Sequence, residues 1–108
     1  MKTILTAIAL LITLTACSES PQNVTLAELV AHQTQYHDQW VVTSGAVRGF
    51  EDPEHYWIED DQLNRVSVEP QALIQARLGE QVQVSGRFLY SPQEGRRITA
   101  AELVAPSN

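Results

Sequence analysis

Cysteine occurs once in these 108 residues, at Cys17, and lysine once, at Lys2. A single thiol excludes an internal disulfide framework and any zinc site built on several thiolates. With lysine so scarce, the positive charge rests on arginine, and 7 basic residues face 13 acidic ones for a formal net charge of −6. That balance argues against a nucleic-acid backbone or an anionic membrane surface as an electrostatic partner. Catalytic signatures are missing too. There is no GxSxG elbow, no HExxH pair and no glycine-rich phosphate cradle. His32 and His37 are five apart and miss the i, i+4 spacing of helical metal ligands. What the chain does have is an ordinary apolar content (44%), which argues against wholesale disorder, and a length that allows one small domain.

The one long apolar run, Thr3 to Ala16, follows Met1 and Lys2 and ends at Cys17 before the polar Ser18-Glu19-Ser20-Pro21. Crossing a bilayer takes about 20 apolar residues, so this run is too short. A positive start, an apolar middle and small residues at the end are the layout of a secretory signal. Leu14-Thr15-Ala16-Cys17 resembles the lipobox of bacterial lipoproteins. The resemblance implies cleavage before Cys17, a diacylglycerol thioether on its sulfur, and acylation (typically palmitate) of the new amine. Ser18, rather than Asp, after the cysteine implies the outer membrane, facing the periplasm, in a Gram-negative host. The expected organisation is a signal over 1–16, lipidated Cys17 with a polar tether to 24, and one domain over 25–106.

Within that domain, Thr25-Leu26-Ala27-Glu28 reads as a capping box opening a helix over about 25–35, with Leu26, Leu29 and Val30 at helical spacing. Trp40 to Phe50, His55 to Glu59 and Arg65 to Glu69 read as strands separated by acidic turns. Pro70 and Gly79 bracket a second helix whose apolar side is Leu73, Ile74 and Leu78. Val82 to Phe88 alternates cleanly, and Arg96 to Val104 is a final strand in which Ala100-Ala101 suggests a bulge.

Two strands carry glycine at matching points: Val41-Val42-Thr43-Ser44-Gly45 and Val82-Gln83-Val84-Ser85-Gly86. Glycine there suits strands that bend sharply around a small barrel. With the order strand-strand-strand-helix-strand-strand, residues 38–104 resemble bacterial OB-fold domains of the anticodon-binding type, including those of small periplasmic proteins. The predicted fold is therefore mainly β, a five-stranded OB-fold Greek-key barrel preceded by an N-terminal helix. An SH3-like or other small β-barrel behind a helix is the rival.

The resemblance implies a contact face on the second and third strands and the loops at 50–54 and 91–95. On those strands the candidates are His55, Trp57, Glu59, Arg65 and Ser67. Period two puts Trp57 outside if Tyr56 and Ile58 face the core; the other reading packs it beneath helix 25–35. His55 and Glu59 lie roughly 13 Å apart along a strand, too far to ligate one zinc ion. Six acids (Glu51, Asp52, Glu54, Glu59, Asp60, Asp61) fall within residues 51–61 without the glycine of a calcium-binding EF-hand loop.

The function predicted is a lipid-anchored, non-enzymatic interaction module of the bacterial cell envelope. It is expected to bind the membrane through the lipid on Cys17, to contact another envelope protein, and to carry no cofactor, metal or catalytic residue. One alternative is a small ligand or divalent cation at the acidic loop 51–61. The other is an oligosaccharide or single-stranded nucleic acid, the latter disfavoured by charge.

Overall fold

The computed structural model describes residues 20–104. The signal-like run, Cys17 and the last four residues, with the expectations placed on them, lie outside the described residues. Among the described residues no helix is long and apolar enough to cross a membrane.

The structure is mainly β. Its elements are β1 (Gln22–Asn23), α1 (Leu26–Ala31), α2 (Gln33–Tyr36), β2 (Gln39–Glu51), β3 (Glu54–Glu59), β4 (Arg65–Glu69), α3 (Ala72–Gln75), β5 (Gln81–Ser91) and β6 (Gly95–Val104). Six strands, rather than the five expected, join in one mixed sheet of order β1-β2-β3-β4-β6-β5, and β2 pairs with β5 as well. The pairings from β2 onward therefore return to β2 as a partial ring. Its parallel join is the pairing of β4 with β6, Ser67 to Glu69 against Arg97 to Thr99. The strand missed is β1, which runs parallel to β2 at Val41 and Val42. The stretch expected to be tether through residue 24 is thus part of the sheet from Gln22, and Val24 is buried.

Alternation along the strands sends one set of side chains inward. Val41, Val47, Ile58, Val68, Phe88 and Ile98 are fully buried. Each such side chain contributes about 1.5–3 kcal/mol by leaving water. The long strand β2 is the hub, its first half antiparallel to β5 and its second half to β3. Gly86 sits where β5 meets β6 across a register shift, since Ser85 pairs with Glu102 but Arg87 with Thr99. The extra backbone opposite Gly86 is Ala100-Ala101, the bulge anticipated from the sequence.

At the N-terminal side, the Thr25 hydroxyl accepts the Glu28 N–H at 3.1 Å and caps α1. The expected single helix is broken at His32, whose φ of −128° ends α1 before α2 begins. Leu26 and Leu29 still reach the core.

The second helix is also shorter than predicted, four residues in place of the whole span from Pro70 to Gly79. Backbone hydrogen bonds explain the early stop. Gly79 N–H donates to Val47 C=O and Val47 N–H donates to Glu80 C=O, both at 2.9 Å, so the chain after Gln75 is tied to β2. Gly79 takes a positive φ of 86° in making that turn. Ile74 is buried and Leu73 packs partly against the core, but Leu78 is 60% exposed and does not plug it.

Candidate functional site

The register of β2, β3 and β4 decides which residues meet on the outer face. Phe50 pairs with His55 and Arg48 with Trp57 on one side, while Trp57 pairs with Ser67 and Glu59 with Arg65 on the other. Because Ile58, Val47 and Val66 turn inward, the flanking residues His55, Trp57 and Glu59 turn outward. Trp57 is half-buried and is not among the side chains packed against the core. Its partners are outer-face neighbours.

These neighbours form a row. The Phe50 and His55 rings have centroids 5.8 Å apart, those of His55 and Trp57 are 5.0 Å apart, and the Arg65 guanidinium carbon lies 5.1 Å from the Trp57 centroid. A cation over an indole face is attracted by the ring quadrupole. The His55 Nδ1 lies 2.7 Å from the Pro53 carbonyl oxygen. A carbonyl can only accept, so Nδ1 carries the hydrogen and Nε2 of the neutral ring remains an acceptor.

Glu59 braces the row from its far end. Its Oε1 accepts from Trp57 Nε1 at 2.9 Å and from Arg65 Nε at 2.8 Å. Its Oε2 lies 3.7 Å from Arg48 Nε, and its side chain is only 11% exposed. Glu59 therefore orients the indole and the guanidinium rather than offering itself to a ligand.

The parallel pairing of Ser67 with Arg97 brings the β5–β6 turn beside this row. Glu94 N–H donates to Ser91 Oγ at 3.1 Å, and Gly95 at φ 71° completes the reversal. A cleft of about 270 Å³ results, lined by His55, Trp57, Arg65, Ser67, Glu94, Gly95 and Arg96. Four of the five sequence candidates thus share one cleft, and the fifth, Glu59, stands behind it. Arg96 was missed as a site residue. Its nearness to Arg65 depends on a parallel strand pair that no local pattern announces. Arg96 Nε donates to the Arg65 carbonyl oxygen and its Nη1 to Gln33 Oε1, both at 2.9 Å.

The acidic residues of 51–61 do not converge. Among the described residues no three His, Cys, Asp or Glu side chains are placed to hold a metal ion. Glu54 accepts from Tyr56 Oη at 2.8 Å and from Gln75 Nε2 at 3.2 Å. That hydrogen bond to Glu54, followed by desolvation and the charges of Glu54 and Glu51, raises the Tyr56 pKa. Asp60 is engaged within its own turn.

No family model matches this chain, and neither does any curated protein or solved structure.

Proposed function

We propose that this chain is a lipid-anchored OB-fold module of the bacterial cell envelope that docks another envelope protein at the cleft beside Trp57. Support for the OB-fold comes from the strand ring β2-β3-β4-β6-β5, with α3 lying between β4 and β5 in sequence. Support for the anchor comes from the signal-like run ending in Leu14-Thr15-Ala16-Cys17. The docking role rests on one observation above others: a half-buried indole held between an imidazole and a guanidinium at the edge of a cleft. Aromatic and arginine anchors around a partly enclosed pocket are what protein interfaces concentrate their energy on.

Cation binding at 51–61 finds less support, because the carboxylates of Glu54, Glu59 and Asp60 are engaged by internal donors. A strand-tracking nucleic-acid groove needs arginines free of counter-charges. Here Arg48 and Arg65 share Glu59, and Arg97 pairs with Glu94 at 2.6 Å.

The test is affinity purification of the full lipidated chain from detergent-solubilised envelope, comparing wild type, Trp57→Ala and a control, Glu102→Ala, at an exposed site. Loss of specific co-purified proteins with Trp57→Ala alone is expected. An identical set from all three would end the proposal.

A further inference from the structure

Each of the other arginines described has a carboxylate partner: Arg48 and Arg65 on Glu59, Arg77 on Glu80, Arg87 on Asp38, Arg97 on Glu94. Among the described residues Arg96 has none. Its hydrogen-bond acceptors are the neutral Arg65 carbonyl and the Gln33 amide oxygen. These two bonds fix the group between β4 and α2 without cancelling its charge. An uncompensated guanidinium, already positioned, binds an anion without first losing its own rotamer freedom. In a chain of formal net charge −6, such a cation lining the same cleft as an indole is a local reversal of sign.

We infer that the cleft recognises a single carboxylate, presented on a protein partner beside an aromatic or aliphatic side chain. The carboxylate pairs with Arg96 while the apolar group lies against the part of Trp57 that lines the cleft. Two observations favour one carboxylate over a chain of phosphates. The cleft is small, about 270 Å³, enough for one side chain and its acid group. Glu94 also lines it, and Glu51, Asp52 and Glu54 lie at the β2–β3 turn that leads into His55, so a polyanion extended beyond the cleft that way meets like charge. The inference rests on the docking reading above and specifies what the partner presents.

N-acetylphenylalanine, its uncharged amide and phenyl phosphate are the probes, titrated into the ¹⁵N-labelled protein. The indole N–H signals of Trp57 and Trp40 report separately, since Trp40 Nε1 donates to Ser85 Oγ, away from the cleft-lining residues. The Trp57 signal is expected to move with the carboxylate and not with the amide. The affinity is expected to fall about tenfold or more in Arg96→Gln, the usual loss for a charge-assisted hydrogen bond. Arg96→Lys, which keeps the charge, should retain part of it, and amide spectra of both variants check that they fold. Equal response to acid and amide, a preference for phenyl phosphate, or undiminished binding by a folded Arg96→Gln overturns the inference. If Trp57→Ala abolishes partner capture while Arg96→Gln leaves it intact, the docking surface survives and the carboxylate assignment does not.

Discussion

Asp60 holds the β3–β4 turn with one side chain. Its Oδ1 accepts the backbone N–H groups of Gln62 and Asn64 at 2.9 and 3.0 Å, and its Oδ2 accepts the Asn64 amide at 2.8 Å. Desolvation alone would raise its pKa, but the hydrogen bonds from Asn64 and Gln62 outweigh it and hold the carboxyl below its ordinary value. A folded-state pKa below the unfolded one means stability that is present above the unfolded value and lost as pH falls through the folded value. Losing these three hydrogen bonds in a turn that water reaches, Asp60→Ala should cost about 1 kcal/mol in urea unfolding at neutral pH. The gap from wild type should narrow in acid, below the ordinary carboxylate range; a constant gap would show that the ionised form is not what holds the turn. Gly86 makes a different demand. A Cβ there would lie 2.5 Å from Ile98 Cγ2, 2.9 Å from the Thr99 carbonyl oxygen and 3.0 Å from the Ala101 Cα. Two of those atoms are backbone and cannot rotate away, so Gly86→Ala should destabilise by about 1–3 kcal/mol. Gly95→Ala meets open space and suffers only from its positive φ. A smaller melting-temperature loss for Gly86→Ala than for Gly95→Ala would refute the steric account.

Strand β2 touches more of the fold than any other element described, pairing with β1, β3 and β5. Its central residues Val41, Thr43 and Val47 are buried, so opening their amides means separating several strands at once. Amide exchange should be slowest in 41–46 and the facing 81–86, and fast in α3 and the turn after it. Protection in 72–80 equal to that of β2 would contradict this ranking. The elements legible in the sequence were those with a strong local signal. Val82 to Phe88 showed its period, and Gly86 with Ala100-Ala101 showed where the β5–β6 pair deforms. Strand β1 was not legible, because Gln22 and Asn23 are exposed, polar and only two residues long. The helix at 70–79 was overestimated because the pairing of Gly79 and Glu80 with Val47 is a long-range contact that competes with local helical spacing. The site followed the same rule. Trp57, His55 and Ser67 could be placed by alternation within strands, whereas Arg96 arrives through the parallel β4–β6 join and needs the whole ring of pairings to be known.

At the scale of the whole molecule, charge and tether length act together. Gln22 is already in the sheet, so five residue steps separate it from Cys17. At about 3.4 Å per extended residue the reach is roughly 17 Å. A lipid on Cys17 would therefore hold the domain close to the bilayer. The proposed cleavage before Cys17 would take away Lys2 and leave 6 arginines against 13 acids, a formal net charge of −7 for residues 17–108. Anionic headgroups repel such a domain over a Debye length of about 8 Å at physiological ionic strength. Protein–headgroup electrostatics thus oppose membrane residence, and the proposed acyl chains on Cys17, at about 0.8 kcal/mol per buried CH₂, would have to outweigh them. Cys17→Ala, with an ordinary secretory signal replacing 1–16, should move the protein from the membrane pellet to the soluble fraction. The same unlipidated protein should show no binding to phosphatidylglycerol vesicles, and lowering the salt should not create any, because weaker screening strengthens repulsion rather than attraction. Sedimentation of the Cys17→Ala protein with lipid, growing stronger at low salt, would mean that a cationic face rather than an acyl anchor keeps this domain at the membrane.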